Sequence, residues 1–217
     1  MNLTPAAIMG ALEPVYGRPH AMPSRDPLAE LILTVLSQNT ADTNSGRAFI
    51  LLMRRYPSWD AVLHAPLAEL IETIQPGGLA PQKAPRIQAI LRAVAERSPE
   101  WDLSFLETLP LEEARAWLRA LPGVGPKTAA CVLLFSLGRP ALPVDTHVER
   151  VSKRLGLIAG KTTADQAHQL LEALVDPVDY YPFHMLLIKH GRRICAARRP
   201  ACDRCPILAC PSRAPAL

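Results

Sequence analysis

Leu121-Pro-Gly-Val-Gly-Pro-Lys-Thr-Ala-Ala130 is the stretch on which the reading of this chain turns. Just before it, Glu112 to Ala120 reads as a helix, with Ala116, Trp117 and Ala120 at helical spacing. Leu121-Pro-Gly-Val-Gly125 breaks that helix. Pro126 suits the first position of a new one, where its missing N–H costs nothing and its fixed φ is already helical. Thr128 to Leu137 continues as a mostly apolar helix. The pattern is helix, five-residue hairpin, helix. Two glycines around one apolar residue let the backbone turn sharply and come close to a ligand. Val124 is expected to face inward as the anchor of the loop. The free N–H groups at the start of the second helix can hold a phosphate. A bare Gly-x-Gly would fit any helix–turn–helix corner, but the whole string is far more specific.

Lys127 falls in the first turn of that second helix. The positive end of the helix disfavours an ammonium there, and burial pushes the same way. An unperturbed lysine is only about 0.1% neutral at pH 7.4, so a nucleophilic lysine needs such help. A lysine at this place can contact a phosphate or attack an electrophile. Both roles imply nucleic acid; only the second implies chemistry.

Outward from the hairpin, helical periodicity dominates. Leu28, Ile32, Val35 and Leu36 form one apolar stripe, Phe49, Leu52 and Met53 another, and Ile87, Ile90, Leu91 and Val94 a third. Pro66 to Ile74 reads as a helix ended by Gly77-Gly78. The 22 prolines among 217 residues sit mostly between such stretches and punctuate helices. No alternating run is long enough for a sheet, so the expected class is all-α. The last seven residues are expected to fray. The longest apolar run, Ala129 to Phe135, is far too short for a membrane helix, and no N-terminal signal pattern is present. A cytoplasmic protein is therefore expected.

The net charge is +4, unevenly spread. Residues 181–217 carry Lys189, Arg192, Arg193, Arg198, Arg199, Arg204 and Arg213 against the single acid Asp203. A basic end on a slightly acidic body fits a polyanion partner, or a solvated tail. Four of the five cysteines crowd into Cys195–Cys210. In a reducing compartment such crowding points to metal rather than disulfides. Cys195, Cys202, Cys205 and Cys210 are spaced Cys-x6-Cys-x2-Cys-x4-Cys. Four thiolates suit tetrahedral zinc or an iron–sulfur cluster, and the spacing leaves both open. Cys131, in an apolar helix, reads as core.

Pro143-Val-Asp-Thr-His147 precedes a helix from Val148 to Leu155. Thr146 and Glu149 fit a capping box, and Asp145 fits a plain N-cap. Two loops stand out as candidates: Ser37-Gln-Asn-Thr-Ala-Asp42 and Gly78-Leu-Ala-Pro-Gln-Lys-Ala84. Their polar residues can cap helices, and Leu79 can act as a staple.

Taken in order, the hairpin, the aspartate and the cysteine set resemble the endonuclease III family of the helix-hairpin-helix, Gly/Pro-Asp superfamily, from about residue 28 to Cys210. The resemblance implies a bifunctional DNA glycosylase with AP lyase activity that removes oxidised pyrimidines. Lys127 matches the family lysine that attacks the sugar C1′. Asp145, eighteen positions on, matches the catalytic aspartate. Many relatives keep the aspartate without the lysine, so having both favours the lyase-competent branch. The family carries a [4Fe–4S] cluster on Cys-x6-Cys-x2-Cys-x5-Cys. Here Cys195, Cys202 and Cys205 match in register, and the interval to Cys210 is one residue shorter. Gln38 matches the residue that enters the space left by a flipped base, and Leu79 the leucine that wedges into the opposite strand. Gly123, Val124, Gly125, Lys83, Arg198 and Arg199 join them as expected DNA contacts. His184 and His190, on the helix before the cysteines, read as packing or hydrogen-bonding residues. The implied architecture is two helical lobes with a DNA-binding cleft between them: residues 22–135 as one, and 1–21 plus 136–217, carrying the cluster, as the other. The expected partner is damaged or abasic duplex DNA, bound by a monomer. A monofunctional mismatch or uracil-type glycosylase and a non-catalytic binder of damaged DNA are the alternatives.

Overall fold

The protein is described by a computed structural model covering residues 3–20 and 26–213. Among the described residues there are helices and no strand. The first six helices are α1 (Pro5–Tyr16), α2 (Pro27–Ser37), α3 (Asp42–Arg55), α4 (Trp59–His64), α5 (Leu67–Ile74) and α6 (Ala80–Arg97). They are followed by α7 (Phe105–Thr108), α8 (Leu111–Ala120), α9 (Pro126–Cys131), α10 (Thr146–Arg154), α11 (Ala164–Leu174) and α12 (Tyr180–Arg193). None is long and apolar enough to cross a membrane.

The starts of these helices follow local chemistry. Thr4 caps α1 by accepting from the Ala7 N–H, with Pro5 as the first helical residue. Asp26 caps α2 through the Leu28 N–H, ahead of Pro27. Thr163 and Gln166 form a full capping box on α11. Each device satisfies N–H groups that no helix turn can reach.

Two compact units arise: Pro23–Arg139, here the hairpin unit, and Met1–Met22 with Pro140–Leu217, here the cysteine unit. The boundary expected near residue 22 and the end of the tail, 214–217, lie outside the described residues. The hairpin unit is built around α2, whose Leu28, Leu31, Ile32, Val35 and Leu36 are fully buried. It packs against α3, α6, α9 and the segment after α9. In the cysteine unit α12 is the centre. Its Phe183, Leu186 and Leu187 are buried, with α1 and α10 packed on it.

The helix expected from Thr128 to Leu137 changes pitch. It is α-helical to Cys131 and π-helical over Val132–Ser136. The wide turn closes because Gly138 takes the left-handed conformation, φ 62°, and the Arg139 N–H then reaches the Leu133 carbonyl at 2.8 Å. Arg139 Nη1 also donates to the carbonyls of Leu106 and Leu109, at 2.6 Å each. Insertions of this kind concentrate near functional sites.

Candidate active site and metal centre

The hairpin unit presents α8, the turn Leu121–Gly125 and α9. Leu121 and Val124 are 5% and 6% exposed, so the apolar residues of the turn point inward. The Val124 N–H donates to the Leu121 carbonyl at 3.1 Å and tightens the loop. Gly123 has φ 72°, a left-handed conformation that favours glycine. Lys127, second residue of α9, is half-buried, and Thr128 beside it is buried.

Gln38, the C-cap of α2, reaches this turn. Its Nε2 donates to the Gly123 carbonyl at 3.1 Å and to Thr128 Oγ1 at 3.4 Å. Its Oε1 accepts from Arg86 Nη1 at 2.8 Å. Gln38, Gly123 and the neighbour of Lys127 are thus joined in one set, as is Arg86, which sequence reading passed over. The only signal for Arg86 was its place on α6, two turns beyond Leu79.

Leu79 sits at the start of α6 with φ 52° and is 44% exposed. A bulky residue in the left-handed region is strained, and such strain gathers at functional positions. Lys83, expected as a DNA contact, turns inward instead. It is 2% exposed, and its Nζ donates to the carbonyls of Leu36 at 2.6 Å and Gly77 at 2.8 Å. Burial, then the charge of Arg86, lowers its pKa from the usual lysine value.

In the cysteine unit Asp145 is the N-cap of α10. Its Oδ1 accepts from the N–H groups of His147 at 2.9 Å and Val148 at 2.7 Å. The expected Thr146–Glu149 box does not form, because Thr146 is already inside the helix and Glu149 pairs with Lys153. The segment leading to Asp145 is pinned by buried groups. His168 bonds the Leu142 carbonyl at 3.0 Å and His184 the Pro143 carbonyl at 2.7 Å. The Leu142 N–H donates to Glu172 at 2.7 Å.

Helix α10 is also tied to the cysteine loop. Arg150 Nε donates to the Cys195 carbonyl at 3.2 Å, and Nη2 to the Gly191 carbonyl at 2.9 Å. Arg154 Nη1 donates to Cys195 Sγ at 3.3 Å and to the Ala196 carbonyl at 2.7 Å. These two arginines, one turn apart, were also missed; their sequence signal was only the i, i+4 spacing.

Cys195, Cys202, Cys205 and Cys210 line one cavity of about 40 Å³, together with Arg154, His190 and Arg213. Among the described residues no group of three or more His, Cys, Asp or Glu is arranged to hold a metal ion directly. Burial, with the other cysteines adding to it, raises the Cys205 and Cys210 thiols above the usual value. A cationic metal group would offset that cost and take the thiolates as ligands. The donor set therefore fits a thiolate-bound metal centre. His190 is held down at about 4 by burial and is neutral near pH 7. It lies 3.3 Å from Tyr16 Oη through Nδ1 and 3.6 Å from Cys205 Sγ through Nε2. His184 and His190 are thus hydrogen-bonding residues of the interior. Arg198 and Arg199 are exposed on the loop between the first two cysteines, Arg199 with φ 52°.

Residues 32–177 match the HhH-GPD superfamily of base excision DNA repair proteins. Endonuclease III of Thermotoga maritima is 37% identical over 83% of this chain and 80% of its own length. This chain belongs to the endonuclease III family. A protein of Arabidopsis thaliana that carries a DNA glycosylase name is 35% identical over 82% of the chain, which spans 64% of that protein's length. The solved structure of a trapped endonuclease III–DNA covalent intermediate has a TM-score of 0.83 and 31% identity, covering 97% of each chain. Family membership accounts for the all-helical fold and for the order of hairpin, aspartate and cysteines along the chain.

Proposed function

We propose that this protein is a base-excision DNA glycosylase with AP lyase activity that removes oxidised pyrimidines from duplex DNA. The observation that carries the reading is the built hairpin. Lys127 lies in the first turn of α9, behind an inward-packed Val124 and beside Thr128, which Gln38 bonds. The similarity to an endonuclease III trapped as a covalent intermediate with DNA supports a covalent step, for which Lys127 is the nucleophile we propose.

In this mechanism the neutral Lys127 amine forms a bond to C1′ as the C1′–N bond of the damaged base breaks. The base leaves with a proton. The C1′–O4′ bond then breaks, O4′ takes up a proton, and the C1′–N bond to Lys127 becomes a Schiff base. Loss of a C2′ proton then expels the 3′ phosphate, which cuts the strand 3′ to the lesion. The Asp145 carboxylate stabilises positive charge on the sugar and assists these proton transfers. Leu79 wedges into the opposite strand, and Gln38 fills the vacated space. Gly123, Val124 and Gly125 approach the DNA backbone through their peptide groups, and Arg198 and Arg199 contact phosphates.

Cys195, Cys202, Cys205 and Cys210 would hold a [4Fe–4S] cluster, which when bound orders the loop they share. A cluster predicts a broad visible absorption that is lost in Cys202→Ser together with iron and sulfide; a zinc-containing, colourless protein would reject it.

The central test is borohydride trapping on duplexes with oxidised pyrimidines. Wild-type protein should become covalently attached to DNA, and Lys127→Ala should lose both attachment and strand cleavage. Trapping that persists in Lys127→Ala would mean another residue is the nucleophile.

A further inference from the structure

Gln38 is held at both ends of its amide within the hairpin unit. Oε1 accepts from Arg86, and Nε2 donates to the hairpin at Gly123 and Thr128. The arginine is bound to the hairpin by shape as well. A Cβ on Gly123 would lie 2.3 Å from Arg86 Nε and 2.7 Å from its Cζ, so the guanidinium lies directly over that glycine. Gly123 is therefore required twice, for its φ of 72° and for room under Arg86.

We propose that Arg86 is a positioning residue that stores Gln38 on the lysine hairpin and releases it only to an unpaired base. The inference rests on the reading of Gln38 as the residue that fills the gap in DNA. An amide can sit in two flipped orientations of equal shape. The guanidinium selects the one with Oε1 toward Arg86, because the flipped one would face N–H groups against N–H groups. That choice aims the NH2 group at the Gly123 carbonyl. Without Arg86 the side chain samples its rotamers, and fixing it again costs entropy.

Leaving the hairpin means giving up an acceptor for Arg86 and a donor for Gly123. A properly paired duplex offers nothing in exchange. The edge of an unpaired base offers both a donor and an acceptor, so the exchange balances only when a base has been extruded opposite. Arg86 thereby makes insertion conditional. Lysine cannot replace it, since it lacks the fork whose Nη1 meets Gln38 while Nε and Cζ lie next to Gly123.

The test uses the full chain with Arg86→Ala, Gln38→Ala and the double variant, their folding checked by circular dichroism. Arg86→Lys carries the same test should Arg86→Ala unfold. In the free protein the Gln38 side-chain amide should give a distinct, slowly exchanging pair of NMR signals. In Arg86→Ala it should move to the position of a solvent-exposed glutamine; an unchanged pair overturns the proposal. Alongside single-turnover base release, Arg86→Ala should narrow the affinity ratio between an abasic-site duplex and an intact duplex about three- to tenfold, because Gln38 then leaves the hairpin without an exchange. The double variant should show the same ratio as Gln38→Ala alone. Effects that multiply would mean that Arg86 acts by itself, and a salt slope lowered by about one would make it a phosphate contact; either overturns the proposal. A wild-type chain that releases no base from any duplex would overturn the glycosylase reading instead, and the amide signals alone would then decide whether Arg86 holds Gln38.

Discussion

Lys83 carries an ammonium into the interior at the point where two loops begin. The carbonyls it bonds, those of Leu36 and Gly77, lie two residues before Gln38 and Leu79 respectively. One buried charge thus fixes the backbone just before Gln38 and just before Leu79. Replacing it with methionine keeps the aliphatic stem and leaves both carbonyls without this donor. Lys83→Met should lower unfolding stability by about 2–4 kcal/mol, since each buried unpaired group costs ~1–3 kcal/mol. Urea denaturation reads this directly, and a loss below half a kcal/mol would mean that the carbonyls find other donors. The loop sequence Gly78-Leu-Ala-Pro-Gln-Lys-Ala84 was legible as a family loop, but the direction of its lysine was not. That direction depends on a carbonyl 47 residues earlier in the chain, which no local pattern encodes. Arg86 was hidden for the same reason: its partners come from α2 and the hairpin.

At the scale of elements, Asp145 has two jobs that can be separated. As the N-cap of α10 it satisfies two backbone N–H groups. As a carboxylate it is the proposed partner of the reaction. Asparagine caps a helix about as well as aspartate, whereas alanine loses about 1 kcal/mol. Asp145→Asn should therefore keep the melting temperature and DNA binding but release base at least tenfold more slowly. Asp145→Ala should lose both stability and rate. An Asp145→Asn enzyme with unchanged turnover would leave only the capping role. Helices were legible where an apolar stripe marks them, as in α2, α3 and α6, or where prolines and glycines bound them, as in α5, α8 and α9. The π-helical turn at Val132–Ser136 was not. An apolar run has the same composition in either pitch, and the closure by Gly138 and Arg139 decides between them.

Across the whole molecule the excess positive charge lies toward the end of the chain, but several of those charges are engaged. Arg213 donates to the Cys205 carbonyl, Lys189 lies 3.5 Å from the Tyr16 carbonyl, and Arg193 stands over the Tyr16 ring. The cysteine spacing pointed to a metal centre, yet the arginines that bind its loop, Arg150 and Arg154, come from α10 and were not legible from the basic tail. They spend their charge on carbonyls and a thiol. Counting basic residues therefore overstates how many can meet DNA. Arg198 and Arg199 differ, being exposed on the tightly turned loop between Cys195 and Cys202. Each phosphate contact releases counterions and steepens the fall of log affinity with log salt by ~0.9. The double substitution Arg198→Ala, Arg199→Ala should thus lower that slope by almost two, weaken damaged and undamaged duplexes alike, and leave base selectivity intact. Arg213→Ala, which removes an internal bond, should lower stability and leave the slope where it was. A slope that moved equally in both variants would mean that the field of the whole basic end, rather than two exposed arginines, binds the backbone.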